Sequence, residues 1–327
     1  MPILLSRSHV AALLSPADAL AAAREAFLAL ARDQVVMPQR VATRVEVNTG
    51  THLSMPCYVR TAEREVLCIK IATVFERNPE RRLPTTMAFL ALQDPQTGAL
   101  LALMDAEHLT ALRTAAASAL AVQVLGRPGD AGGAMTLFGV GGQAGAHLPA
   151  LLHVRPAGRV YVIARDIARA RDFCARQQVT AELVATEDRR AAVEASDVVC
   201  TATNATAPLF DGAWLRPGAV VTAVGAFRPD MRELDAEAVR RSQVVVDRVE
   251  AARSGAGDLI QAHAEGAFGW EEAVELGSLL LDPSRVASDD RPRLFKSVGL
   301  AAQDAFIAGL AYEKAMEARV GEAIELE

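Results

Sequence analysis

The sequence predicts an α/β protein in which a central, doubly wound parallel sheet is set between two stretches that build a second, α+β unit. Three observations carry this expectation. From Thr136 onward, short apolar runs at 136–140, 160–164, around Leu183, 198–201, 220–224 and 244–247 alternate with helical patterns, the rhythm of a parallel sheet. Before them, residues 41–104 read as strands joined by short turns, as antiparallel sheets do. After them, residues 293–319 read as one long amphipathic helix outside the rhythm, expected to return to the first unit. The expected division is 1–125 with 293–327 for the outer domain and 126–292 for the central one.

The elements follow from local chemistry. Ser15 followed by Pro16 starts a helix, a capping hydroxyl before proline at the first helical position, and Ala and Leu carry it to about Arg32. Strands at 41–47 and 53–59 flank the turn Asn48-Thr49-Gly50, and a third strand spans 66–74. Strands at 86–92 and 100–104 flank Asp94-Pro95-Gln96-Thr97-Gly98. Asp105 then caps an Ala-rich helix that runs to about Leu125. Residues 127–133, rich in Gly, Asp and Pro, read as a linker, and 283–292 as an exposed loop.

Composition narrows the class. With 327 residues, 51% of them hydrophobic and 23% charged, the chain reads as a globular protein of two domains. Acidic and basic residues are mixed around a net charge of -6, and no basic stripe invites a nucleic acid. The apolar part of the N-terminus is too short for a signal peptide, and no apolar run is long enough for a bilayer. Cys57, Cys68, Cys174 and Cys200 form no Cys-x-x-Cys pair and read as reduced thiols of a cytoplasmic protein. The six histidines are scattered, with no metal-site spacing.

The run Met135-Thr136-Leu137-Phe138-Gly139-Val140-Gly141-Gly142-Gln143-Ala144 is a strand, a tight glycine turn and a helix start. Such a turn admits a pyrophosphate against the free N–H groups of the first helical turn, so Gly139, Gly141, Gly142, Gln143 and Ala144 are candidates to bind a dinucleotide. The second strand of such a sheet ends at the adenosine ribose. An acid there favours NAD, and a nearby arginine admits the 2′-phosphate of NADP. Here Ala164 holds the acidic slot, Arg165 follows, and Asp166 is placed to cap the next helix. NADPH is therefore the preferred cofactor, with NAD(H) as the alternative; a solvated surface charge is the plainer account of Arg165. Thr201 and Thr203, after the fourth strand, either line the cofactor crevice or cap their turn, and Gly225 would let the nicotinamide approach.

The chain resembles the ornithine cyclodeaminase/mu-crystallin family. The resemblance rests on Lys70-Ile71-Ala72-Thr73-Val74-Phe75, Leu83-Pro84-Thr85-Thr86-Met87-Ala88-Phe89, Leu109-Thr110-Ala111-Leu112-Arg113-Thr114-Ala115-Ala116, the glycine run, the segment from Val224 through Gly225-Ala226-Phe227-Arg228-Pro229-Asp230-Met231-Arg232-Glu233 to Leu234, and Phe295-Lys296-Ser297-Val298-Gly299. It spans nearly the whole chain in order. It implies a homodimer, with a central Rossmann domain for NAD(P) and a substrate and dimerisation domain made from both chain ends. It also implies Val298 as a cofactor-side residue and Arg40 as a third cationic position, although Arg44 is equally available.

Lys70 lies inside the apolar strand Leu67-Cys68-Ile69-Lys70-Ile71. Either it reaches water from an edge strand, or it stands beside substrate with a tunable pKa. Arg113, among alanines and threonines, has room for a two-pronged bond to a carboxylate, or is a surface arginine of its helix. Thr85 would add a hydroxyl. These residues fit the reduction of an α-imino acid: Arg113 and Arg40 hold its carboxylate, and Lys70 protonates or orients its nitrogen. Asp230 is either a secondary acid or a helix cap. Family activities include ornithine cyclodeamination, which takes an aspartate just after the fifth strand and a glutamate on the first sheet. Here Phe227 and Leu53 hold those places, so the expected substrate is a cyclic imino acid of the Δ1-pyrroline-2-carboxylate or Δ1-piperideine-2-carboxylate type. Ornithine cyclodeaminase and a non-catalytic NADPH- and ligand-binding protein are the alternatives. The expected partners are this small substrate and a second copy of the chain, with no nucleic acid and no membrane.

Overall fold

The computed structural model describes residues 1–127 and 133–325, so the expected linker at 127–133 lies partly outside the described residues. The chain divides into two compact units, one of Met1–Arg113 with Leu300–Glu327, the other of Thr114–Gly299. The elements run β1 (Ile3–Leu5), α1 (Arg7–Leu13), α2 (Pro16–Ala31), β2 (Val35–Val36), β3 (Val41–Val45), β4 (Gly50–Arg60), β5 (Glu65–Phe75), β6 (Thr86–Gln93), β7 (Leu100–Asp105) and α3 (Glu107–Leu125). Then come β8 (Ala134–Phe138), α4 (Gly142–Val154), β9 (Arg159–Ile163), α5 (Ile167–Arg176), β10 (Glu182–Ala185), α6 (Arg189–Ala195), β11 (Ser196–Thr201), β12 (Val220–Ala223), α7 (Ala236–Arg241) and β13 (Gln243–Val246). The chain closes with α8 (Val249–Gly255), α9 (Gly257–Ala264), β14 (Val274–Glu275), α10 (Leu276–Leu281), β15 (Arg293–Lys296), α11 (Ala301–Ala318) and β16 (Glu322–Ala323). Among the described residues no helix is long and apolar enough to cross a membrane.

The first unit is an eight-stranded mixed sheet in the order β16-β1-β7-β6-β5-β4-β2, with β3 also paired to β4. Its helices start where side chains satisfy free N–H groups. Ser15 Oγ accepts from Asp18 N and the Asp18 carboxylate accepts from Ser15 N, a reciprocal cap on α2. Asp105 Oδ1 accepts from His108 N and starts α3. Period-two alternation then sorts β5: Val66, Cys68, Lys70 and Ala72 are buried on one face. That face is covered by α11, which packs on α2, β4 and β5. The opposite face carries Ile69, Ile71, Met87, Phe89, Ala91 and Leu103, as the pairs Ile71 with Phe89, Thr73 with Met87 and Ala91 with Leu103 show. Met87 and Phe89 stay 40% and 49% exposed, so among the described residues of the first unit this second apolar face is left uncovered.

The second unit is an eight-stranded sheet in the order β10-β9-β8-β11-β12-β15-β13-β14, every pair parallel. Strand order reverses between β8 and β11, which makes the carboxyl ends of those strands the topological switch point. A core of Val199, Val221, Val246 and Leu294, with Phe138 stacked on Phe210 at 5.4 Å, holds the sheet to its helices. Each such fully buried side chain contributes about 1.5–3 kcal/mol.

One expected element is corrected. Residues 293–319 are not a single helix: Arg293–Lys296 is β15, inserted between β12 and β13, and the helix begins at Ala301. Arg293 and Lys296 bracket two apolar residues and mimic an amphipathic turn. Both charges are in fact buried and partnered, Arg293 by the carbonyl oxygens of Gly218, Ala287 and Asp289 and Lys296 by Asp258. Gly299, at φ +80°, breaks the chain direction before α11.

Candidate functional site

In the first unit, three elements bring together a buried ionic group. β5 supplies Lys70. One face of α3 supplies Thr110 and Arg113, three residues apart, and α11 supplies Gln303 and Asp304. Lys70 Nζ lies 2.7 Å from Asp304 Oδ2 and 3.4 Å from Thr110 Oγ1. Arg113 Nε donates to Asp304 Oδ1 at 3.0 Å, and its Nη1 donates to Gln303 Oε1 at 3.0 Å. Gln303 Oε1 also accepts from Leu300 N, which fixes the amide's orientation. Lys70, Arg113, Gln303 and Asp304 are all buried. Lys70 is therefore no edge-strand lysine reaching water.

Two cations share one carboxylate, so the group carries one positive charge in excess. Burying charge is costly unless it is paired. Burial accordingly pushes the Lys70 ammonium down to about 8. The Asp304 carboxylate resists that shift and the Arg113 guanidinium adds to it. Arg113 Nη2 makes no hydrogen bond among the described residues. Its N–H groups are the donors with which a carboxylate can be met.

The other two residues expected at the substrate lie on segments next to strands of the same sheet. Arg40 is half-buried on the segment before β3, and Thr85 is half-buried just before β6, where its carbonyl accepts from Phe75 N at 2.8 Å. Of the two readings of Asp230, the structure removes one. Asp230 is exposed and ion-paired to Arg228 at 3.1 Å, and the next helix, α7, is capped by Asp235. Asp230 is thus no helix cap.

In the second unit the glycine run forms the β8-to-α4 turn. Gly139 has φ +114°, and a Cβ there would stand 2.5 Å from the Ala202 carbonyl oxygen, so only glycine fits. A Cβ at Gly141 or Gly142 would meet nothing within 4 Å, so the start of α4 opens onto free space. Its first N–H groups are available to an anion such as a pyrophosphate. Gln143 and buried Ala144 begin the helix; the Gln143 carbonyl accepts from His147 Nδ1 at 2.7 Å, while the Ser118 hydroxyl meets Nε2 at 3.0 Å. Burial holds His147 neutral, with its pKa pushed down to about 4. Arg165 is exposed two residues past β9, and Asp166 caps α5 through Ala168 N at 2.9 Å. The residues of the turn therefore fit a dinucleotide.

Thr201, Thr203 and Gly225 are brought together by a residue that the sequence reading passed over, Glu233. Its carboxylate accepts from Thr201 Oγ1, Thr203 N, Thr203 Oγ1 and Gly225 N at 2.7–2.9 Å. Asp258 Oδ1 holds the backbone N–H groups of Glu233 and Leu234, and Asp258 Oδ2 pairs with Lys296 at 2.8 Å. Val298 N, with Gly299 N and Ser297 Oγ, donates to buried Asp247. Asp304 and Glu233 were both open to the test that singled out Lys70. Asp304 is an acid inside the apolar run Ala301-Ala302-Gln303-Asp304-Ala305-Phe306, and Glu233 lies between Met231 and Leu234.

A doubly wound parallel sheet with an open glycine turn at its switch point, joined in one chain to a unit holding a buried cationic group, defines a dinucleotide-type α/β fold. The chain belongs to the ornithine cyclodeaminase/mu-crystallin family, whose model matches residues 1–319. It is 34% identical to ketimine reductase mu-crystallin of Mus musculus over 279 residues, 85% of each chain. Among solved structures it is similar to Δ1-pyrroline-2-carboxylate reductase of Thermococcus litoralis in complex with NADH and L-proline, with a TM-score of 0.93 and 36% identity over 98% of this chain and 100% of that one. It is also similar to an archaeal alanine dehydrogenase dimer with bound NAD, with a TM-score of 0.89 and 30% identity over 100% and 99% of the two chains.

Asp304→Ala leaves Lys70 and Arg113 facing one another without their counter-ion. Urea unfolding of this variant is expected to show a loss of about 3–5 kcal/mol. A loss below about 1 kcal/mol, the range of a surface pair, would mean that the charges are not held as described.

Proposed function

We propose that the protein is an NAD(P)H-dependent reductase of a cyclic imino acid of the Δ1-pyrroline-2-carboxylate or Δ1-piperideine-2-carboxylate type. The observation that carries the reading is the excess positive charge of the Lys70–Asp304–Arg113 group. A buried cationic group of this kind is completed by an anion, and the substrate's carboxylate supplies one. Arg113 Nη2 is the donor placed to hold it. Lys70, with its pKa brought down to about 8, gives its proton to the imine nitrogen at physiological pH more readily than an ordinary lysine does. The reduced nicotinamide, when bound, supplies the hydride that the α-carbon accepts as the C=N bond becomes C–N. Asp304 keeps Arg113 paired and the Lys70 amine in place as the proton leaves. The named activities of the reductase relatives support this reading, and so do two side chains. Phe227 and Leu53, both half-buried, offer no carboxylate at the places where a cyclodeaminase would deprotonate an amine.

The reading is tested with a panel of cyclic imino acids and NADPH, followed by nicotinamide absorbance. Lys70→Ala and Arg113→Ala are expected to lose turnover by at least about a hundredfold while keeping cofactor affinity, the scale of one proton-transfer group. In the wild type, kcat/KM for imine reduction should be flat below pH 8 and fall above it, because the protonated form of Lys70 disappears there. Oxidation of the cyclic amino acid needs the neutral amine and should rise toward the same pH. A Lys70→Arg variant whose profile keeps the limb near pH 8 would remove Lys70 from the proton step. Ammonia released from ornithine with NAD and no net cofactor change would favour cyclodeamination instead.

NADPH is the proposed cofactor. Ala164, just after β9, provides no carboxylate for a ribose 2′-hydroxyl, and Arg165 beside it is exposed and able to meet a 2′-phosphate. Arg165→Ala should raise KM for NADPH about tenfold, the worth of a charge-assisted hydrogen bond, and leave KM for NADH within about twofold. Equal changes for both cofactors would argue against the assignment.

The proposed assembly is a homodimer built on the uncovered sheet face of the first unit. Ile69, Ile71, Met87, Phe89 and Leu103 lie on it, and a groove of about 390 Å³ lined by Leu4, Ala88, Phe89 and Leu103 borders it. A second copy is the occupant whose surface is equally apolar. Phe89→Asp should sediment as a folded monomer where the wild type sediments as a dimer. A wild-type monomer at micromolar concentration would overturn this assembly.

A further inference from the structure

We propose that Glu233 is a positioning residue for the nicotinamide half of the cofactor, a role that rests on the reading of Thr114–Gly299 as the cofactor unit. The carboxylate is fully buried between the carboxyl ends of β11 and β12. Oε1 accepts from Thr203 N at 2.7 Å and Thr203 Oγ1 at 2.8 Å. Oε2 accepts from Gly225 N at 2.7 Å and Thr201 Oγ1 at 2.9 Å. One side chain therefore ties the turn after β11 to the turn after β12. The turns are close: a Cβ on Gly225 would stand 2.0 Å from the Thr203 carbonyl oxygen and 2.5 Å from Glu233 Oε1.

The polarity of these bonds selects a carboxylate. Each oxygen faces one backbone N–H, of Thr203 or of Gly225, and a backbone N–H only donates. An amide can satisfy one of the two and must turn its own NH₂ toward the other. Burial pushes the Glu233 pKa up, but a donor on each oxygen is the arrangement that suits the ionised form. The Lys296 ammonium, paired with Asp258 beneath, favours that form, and the Asp258 carboxylate opposes it.

The sheet order says which part of the ligand this strut serves. The pyrophosphate turn follows β8 and the adenosine ribose is met at the end of β9, so the other half of a dinucleotide extends over β11 and β12. Thr203 and Gly225 are the residues at those ends. Glu233 touches neither cofactor nor substrate in this account; it sets the height and spacing of the turns that do.

The test compares NADPH with 2′-phospho-ADP-ribose, which lacks the nicotinamide, by calorimetry on the wild type, Glu233→Gln and Thr203→Val. Glu233→Gln should weaken NADPH binding at least about tenfold and leave the fragment within about twofold, because a single mismatched buried hydrogen bond acts on one half of the site. Thr203→Val, which removes the hydroxyl and keeps the carboxylate, should show the same selectivity at smaller size, and it carries the test if Glu233→Gln does not fold. Equal weakening of both ligands, or none for NADPH, overturns the role of Glu233. Wild-type protein that binds neither ligand overturns the cofactor reading and this assignment with it.

Discussion

The Asp304 carboxylate is the constraint on which the first unit depends. One oxygen holds Lys70 on β5 and the other holds Arg113 on α3, and all three groups are out of water. A buried ion pair seldom adds stability over a well-packed apolar pair. Its presence here is better understood through what it leaves unfinished. One carboxylate cannot neutralise two cations, and the remainder is a fixed attraction for an anion of modest size. Gln303 completes the arrangement by turning its carbonyl oxygen toward Arg113 and the Leu300 N–H, which holds the guanidinium in one plane. In the proposed reading, recognition of substrate and tuning of Lys70 share a single cause.

The second unit solves a related problem with the signs reversed. The carboxyl ends of parallel strands leave backbone groups that no neighbouring strand can satisfy. Glu233, Asp258 and Asp247 supply acceptors there, and Lys296 is the buried cation paired with Asp258. Each of these acids is already engaged by the backbone of the turns it supports. They leave the glycine turn at the start of α4 as the place where an incoming anion finds unsatisfied N–H groups.

Much of this was legible in the sequence where a residue type has one job. Glycine at 139, with its positive φ and its approach to Ala202, is such a case, and so are Ser15 with Pro16 at the start of α2 and Asp166 at the start of α5. Lys70 was legible because a charge inside an apolar strand is anomalous. Asp304 and Glu233 carry the same anomaly but sit in segments read for other reasons, one as a helix face and one as part of a motif. Their partners are distant in sequence: Lys70 and Asp304 are more than two hundred residues apart, a pairing that local patterns do not disclose. β15 was missed because four residues with charges at both ends show helix and strand periodicity equally well.

The position of β15 bears on how the chain comes to be folded. It is the last strand of its sheet in sequence and yet lies inside it, with β12 on one side and β13 on the other. The helix that follows brings Asp304 to the other unit. During synthesis, then, neither unit is complete until β15 and α11 have been made. Until that point β12 and β13 each present an unpaired edge, and Lys70 and Arg113 lack their counter-ion. Such nascent intermediates expose template-like strand edges for longer than a domain assembled in order would. The arrangement exchanges early local folding for simultaneous closure of both halves by one late segment.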